Sequence, residues 1–243
     1  MEPRKEKMKT ATKTKLRVAG IAILIVSSGL IVLYFENFGN RTSPANTIRV
    51  ACVGDSITEG FGYPDELWMM LGANYTVQNF GAGGSTVLLS SDKPYMNQTA
   101  LQRAKDYLPN IVVIMLGTND ASPAYYQNIG DFVNDYKKLV GEFQALTSKP
   151  KIWLVKPPPI FNNGSGPNSV NIVQGVIPRI EQVANELGLP TIDVYTALAN
   201  HPEYFLLDGV HPNSQGAKLI ASEIYKAITS TIPQVNIAVD TPV

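Results

Sequence analysis

Only two histidines occur in the 243 residues, His201 in ANHPEYF and His211 in LLDGVHPNSQG. An imidazole is the side chain best suited to take and return a proton near neutral pH, so the search for a general base is short. His211 alone has a carboxylate at a useful spacing, because Asp208 lies three residues earlier across a Gly-containing turn. Such a turn can bring the acid to Nδ1, fix the tautomer and leave Nε2 free. A candidate nucleophile stands far upstream, where GDSITEG (residues 54–60) follows the apolar run IRVACV and puts Ser56 on a strand-to-turn junction. Acyl transfer through such a serine also needs donors for the developing oxyanion. NFGAGGST offers backbone N–H groups at Gly83 and Gly84, where glycine lets a ligand approach closely. GTND offers the side-chain amide of Asn119.

Each motif alone has a plainer reading. GDSITEG and DGVHP are good turn sequences, GAGGST can be a simple β–α turn, and GTND can be a helix-start cap. Asp55 reads as a brace for its turn rather than a participant in chemistry, and His201 as a surface or capping histidine. What the motifs share is their place relative to the elements around them. Short β-branched runs at 47–53, 75–80, 110–116, 151–155 and 189–194 read as strands. Three of them are almost continuously apolar, as expected where both faces of a sheet are covered. Between them lie amphipathic segments. PDELWMMLG has Pro64 placed for a first turn and Gly72 for a C-terminal cap. NQTALQRAKDYL and NIGDFVNDYKKLVGEFQAL follow. NIVQGVIPRIEQVANELG comes next, with Pro178 expected to start or kink its helix, and then NSQGAKLIASEIYKAITSTI with Asn213 or Ser214 as N-cap. Strands alternating with helices imply a five-stranded parallel sheet in a three-layer α/β/α sandwich. In such sheets the site forms beyond the carboxyl ends of the strands, where GDSITEG, GAGGST and GTND fall, with DGVHP just before the last helix.

GDSITEG, NFGAGGST, GTND and DGVHP, in this order, resemble the four signature blocks of the GDSL-type esterases, or SGNH hydrolases. The resemblance covers roughly residues 47–230. It implies a flavodoxin-like α/β/α fold and hydrolysis of esters through an acyl-serine intermediate, with no cofactor. Carried over by motif, it makes Ser56 the nucleophile, His211 the base and Asp208 its orienting acid. The oxyanion donors are then the Ser56 N–H, a glycine N–H of the second block and the Asn119 side chain. The pattern N-x-G-x-x-G, Asn79 to Gly84, selects Gly84, with Gly83 beside it as the alternative.

Composition narrows the partners. Residues 1–17 hold seven of the twenty Lys/Arg and two of the twenty acids, leaving 13 basic against 18 acidic residues in the remainder. That balance argues against a nucleic-acid partner. Two histidines and one cysteine leave few metal ligands beyond carboxylates. No Lys follows the glycines of GAGGST as a phosphate loop would require. The single Cys52 lies within an apolar run and reads as a small buried hydrophobe.

Residues 18–35, VAGIAILIVSSGLIVLYF, carry no charge and as a helix would rise about 27 Å, enough for a hydrocarbon core. With the basic segment 1–17 before them, they read as a transmembrane signal-anchor with the remainder outside the cytoplasm. Secretion after signal-peptide cleavage is the alternative, but no Ala-x-Ala site follows. Residues 36–46 read as a linker, 47–232 as the hydrolase domain and 233–243 as a tail. Sequons at Asn40, Asn74, Asn97 and Asn163 add weak support for export.

Three functions compete on this reading. The leading one is an esterase acting on a small-molecule or glycan ester, with O-acetyl groups on carbohydrate favoured by analogy. A lysophospholipase or thioesterase acting on lipid acyl esters is the second. A non-catalytic cell-surface binding domain is the third, and the complete set of site residues argues against it. Tyr95, Met96 and Phe161, in two loops expected to wall the acyl pocket, would either line a small apolar pocket or cap a longer one.

Overall fold

The computed structural model describes residues 47–230, apart from 162, 163 and 165. The segments 1–17, 18–35, 36–46 and 233–243, and the sequons at Asn40 and Asn163, lie outside the described residues. Among the described residues no helix is long and apolar enough to cross a membrane.

Five strands form one parallel sheet: β1 (Ile48–Gly54), β2 (Tyr75–Gly81), β3 (Ile111–Met115), β4 (Lys151–Lys156) and β5 (Thr191–Asp193). Their order across the sheet is β2-β1-β3-β4-β5. The chain leaves β1 to one side for β2 and returns to its other side for β3. The topological switch point therefore lies beside β1, where doubly wound sheets bind their ligands. Register sharpens this, because Gly54 is paired with Gly81 on one neighbour and with Met115 on the other. Three strands thus end at one level, and the loops that follow them leave from one edge.

Seven helices are needed to describe what covers the sheet: α1 (Ser56–Gly60), α2 (Tyr63–Leu71), α3 (Thr99–Asp106), α4 (Phe132–Gln144), α5 (Ile177–Leu187), α6 (Val194–Leu198) and α7 (Ser214–Ser230). Strand alternation divides the core in two. Val50 and Cys52 of β1 face α2 and α7, packing with Leu67, Ile220 and Ile224. Ala51 and Val53 face the other layer, with Leu101 of α3, Leu139 of α4 and Ile180 of α5. Every residue of β3 is buried, which is why its sequence is continuously apolar rather than alternating. In α4 the buried set Phe132, Tyr136, Leu139, Val140 and Phe143 repeats at helical spacing. Cys52 is fully buried, and burial pushes its thiol up to about 12, so it serves as packing.

The three-layer architecture and the five-stranded parallel sheet agree with the sequence reading, with local differences. β5 is shorter than the run 189–194; at its C-terminal end the Asp193 carboxylate accepts from the Thr196 N–H (2.9 Å) and hydroxyl (3.0 Å) and so opens α6 at Val194. Pro178 sits in the first turn of α5, preceded by a π-helical turn over Ile172–Val176. Tyr95 does not line a pocket: it is fully buried, and its hydroxyl donates to the Phe80 carbonyl at 2.5 Å. Met96 is partly buried against the same core. Phe161 packs edge-on against Phe205, with ring centroids 5.0 Å apart.

Candidate active site

The first strand ends at a glycine for a steric reason. A Cβ at Gly54 would lie 2.0 Å from Thr58 Oγ1 and 2.6 Å from the Met115 carbonyl, so only glycine lets α1 start so close to β3. Asp55 then caps α1, its Oδ1 accepting from the Ile57 N–H at 3.0 Å. Ser56 is the first residue of that helix, so its own N–H is among the donors a helix start leaves unsatisfied. Burial pushes the Asp55 carboxyl up to about 6 despite the Ile57 N–H. The nearby Thr118 hydroxyl also acts to lower it, without completing a hydrogen bond to Oδ2. Asp55 thus acts as the brace its position suggested.

His211 reaches Ser56 from the other end of the chain. Ser56 Oγ and His211 Nε2 are 2.8 Å apart across 155 residues of sequence. On the far side of the ring, Nδ1 lies 2.8 Å from Asp208 Oδ2. The second carboxylate oxygen accepts from the N–H groups of Val210 and His211, both at 2.9 Å. Burial would raise the Asp208 pKa, but the bonds from His211 and Val210 outweigh it and hold the carboxyl below its ordinary range. An ionised acid therefore faces Nδ1, which favours the tautomer with the proton there and a lone pair on Nε2. The loop carrying both residues is closed by a bond from the Leu206 N–H to the His211 carbonyl (2.8 Å) and tied to the β4 side by one from the Phe161 N–H to the Gly209 carbonyl (2.8 Å). Phe61 stacks on the imidazole with centroids 4.4 Å apart, walling one face of the ring. Asn213 caps α7 directly after this loop, accepting from the Gln215 N–H at 2.9 Å. His201 has other partners, stacking on Tyr204 and bonding to Glu203 at 2.8 Å.

The donor side assembles from the β2 and β3 loops. Asn79 ties the second block to α1, donating to the Thr58 carbonyl at 2.7 Å and accepting from the Gly81 N–H at 2.9 Å. The Gly83 N–H donates to Glu59 Oε2 at 3.0 Å, whereas the Gly84 N–H has no partner among the described residues. One N–H of the Asn119 amide donates to the Ser85 carbonyl at 3.0 Å, and its second N–H remains available. Ser56, Asp208 and His211 are thus brought into one hydrogen-bonded chain, and Asn119 is bound directly to the loop that holds Gly84.

Two residues not singled out from the sequence organise this side. Asp120 is fully buried, and its carboxylate accepts from the N–H groups of Val87 (3.0 Å) and Leu88 (2.9 Å), pinning the β3 loop to the β2 loop. Burial pushes its carboxyl up to about 7, against those two hydrogen bonds. Its signal was an acid directly after Asn119, in the GTND turn that follows the apolar run IVVIML. Glu59 is the other, and GDSITEG offered no reason to prefer it over any exposed helical acid. Among the described residues no cluster of side chains could hold a metal ion.

Fold and block order together are those of the SGNH class of α/β/α hydrolases. A profile of the GDSL-like Lipase/Acylhydrolase family matches residues 52–219. The chain belongs to that family, and the fold described above is its ester-hydrolase domain. An acetylxylan esterase from Xylanibacter ruminicola is 36% identical over 223 residues, covering 79% of this chain and 46% of the relative. The chain therefore spans less than half of that protein. Among solved structures, a carbohydrate acetylesterase from Sinorhizobium meliloti aligns with TM-score 0.63 at 18% identity, over 76% of this chain and 99% of that one. An aryl esterase from M. smegmatis aligns with TM-score 0.60 at 19% identity, over the same 76% and 99%. At those identities the structural likeness speaks for the fold.

Proposed function

We propose that the protein is a serine esterase that removes O-acetyl groups from carbohydrate, held at a membrane by residues 18–35 with its hydrolase domain outside the cytoplasm. The observation that carries the chemistry is the continuous chain from Ser56 Oγ through both nitrogens of His211 to Asp208, with 2.8 Å at each link. In the acylation step Ser56 Oγ attacks the ester carbonyl while Nε2 takes its proton. Asp208 supports the imidazolium that forms. The tetrahedral oxyanion is met by the N–H groups of Ser56 and Gly84 and by the Asn119 amide. Collapse breaks the bond to the sugar oxygen, which leaves with the proton from Nε2. A water then repeats the sequence on the acyl-serine, releasing acetate and free Ser56.

The substrate class rests on the acetylxylan esterase relative. One observation favours a second reading, hydrolysis of lipid acyl esters. Leu206 and Leu207, next to Asp208, are both exposed, Leu207 completely, and present an apolar rim beside the site. A non-catalytic binding role would leave the aligned Ser56–His211–Asp208 chain without a purpose. The test is hydrolysis of p-nitrophenyl esters from acetyl to palmitoyl by the full-length protein in detergent, with acetate release from acetylated xylan measured alongside and Ser56→Ala as control. Serine-dependent activity confined to short acyl groups supports the proposal. A long-chain optimum would transfer it to lipids, and no turnover of any ester would refute it.

A further inference from the structure

Resting on the reading of Ser56 as nucleophile, we infer that Glu59 is a positioning residue that selects which glycine N–H meets the oxyanion. The second-block turn presents two successive N–H groups, and Glu59 Oε2 engages only the first, at Gly83, at 3.0 Å. Glu59 lies on α1, the helix that begins with Ser56, so its carboxylate joins the nucleophile's element to the donor loop. The fit depends on glycine. A Cβ at residue 83 would lie 2.5 Å from Oε2 and 3.8 Å from the Ser56 Cβ, so residue 83 sits close against both the carboxylate and the nucleophile's side chain. On the far side of the turn the Lys93 chain crosses Gly84, its Cδ 3.7 Å from where a Cβ would stand. Held between these two side chains, the turn has its Gly83 N–H consumed and its Gly84 N–H left over.

The chemistry explains why an acceptor is needed there. An unengaged Gly83 N–H would compete with Gly84 for the same developing charge, and the turn would have two orientations of similar energy. Fixing one donor in advance is what makes such a site effective, since no reorganisation is then needed as charge appears. The function requires an acceptor at this position rather than a charge. An amide oxygen in place of the carboxylate oxygen should therefore serve.

The experiment compares Glu59→Ala and Glu59→Gln in the full-length protein on p-nitrophenyl acetate. Glu59→Ala should lower kcat about tenfold with KM changed less than about twofold, a loss below that of a removed oxyanion donor because the clamp is solvent-exposed. Glu59→Gln should recover most of that loss. Gly83→Ala, whose methyl group would lie 2.5 Å from Oε2 and so displace the carboxylate, should reproduce the kcat defect if Glu59→Ala proves unstable in a thermal melt. A kcat within about twofold of wild type in Glu59→Ala, an equal loss in Glu59→Gln, or an effect on KM alone would each overturn the inference. Ser56→Ala in the same assay separates the two levels: serine-independent turnover would bring down the nucleophile assignment itself.

Discussion

Replacing Asp120 by Asn should change how stability responds to pH more than it changes stability at any one pH. The Asp120 carboxyl is fully buried, and its pKa stands at about 7 against an ordinary 3.8. A folded-state pKa above the unfolded one means that the native protein holds the proton through that interval. Stability from this group is therefore greatest at low pH and declines as pH rises from about 4 towards 7. Between about pH 4.5 and 7.5 the linkage amounts to roughly 3 kcal/mol, at 1.36 kcal/mol per pKa unit, and falls entirely on the wild type because Asn does not titrate. Urea unfolding of both proteins at those two pH values measures it. Asp120→Asn should be the less stable variant at the acid end, where an NH2 replaces one of the two oxygens that the Val87 N–H meets, and should close most of the gap, or pass the wild type, at the neutral end. For a domain of this size 3 kcal/mol corresponds to roughly 6–12 °C in Tm, so thermal melts would also resolve it. Parallel pH dependences for the two proteins would refute the argument, since they would place no titration at Asp120. The buried Asp55 carboxyl titrates in the same direction but is present in both proteins and largely cancels.

Asn119→Ala should reduce kcat by about 10²–10³ while leaving KM nearly unchanged, as expected for a donor that acts on developing charge; steady-state kinetics on p-nitrophenyl acetate would show otherwise if the amide serves only to hold Ser85. His211→Ala should abolish turnover, whereas His201→Ala, which removes a ring stacked on Tyr204, should leave it intact, and the reverse pattern would dismantle the proposed relay. Gly54→Ala should destabilise the fold by about 1–3 kcal/mol or more through overpacking between Thr58 and β3, a shift readable in urea denaturation, and a neutral result would contradict the close approach.

How much of this was legible in the sequence depended on the distance over which each feature is determined. β1, β3 and the major helices follow from runs such as NIVVIML, whose burial on both faces leaves an unmistakable apolar record, and from helical spacings as regular as that of α4. That Ser56, Asp208 and His211 meet was legible because acyl-transfer chemistry restricts residue type severely, and with only two histidines in the chain the candidate base had one serious choice. β5 was overextended at both ends, and at its C-terminal end the cause is Asp193, the last strand residue, whose carboxylate caps the next helix and so makes Val194 helical, a choice made by side-chain geometry after folding. Tyr95 was misplaced for the opposite reason: an aromatic residue in a polar loop looks like a pocket wall until its hydroxyl finds the Phe80 carbonyl of β2.

Asp120 and Glu59 mark the more instructive limit. Both are acids that act on backbone N–H groups of a loop more than 20 residues away, and a backbone acceptor leaves no trace in the sequence of the loop it holds. A catalytic side chain announces itself by type. The groups that make its surroundings rigid are ordinary acids, and their role is fixed only by which N–H they meet. The choice of Gly84 over Gly83 rested on the motif pattern alone, and no local signal supported it, for the same reason. The two residues are chemically identical, and what distinguishes them is a carboxylate one helical turn beyond the serine.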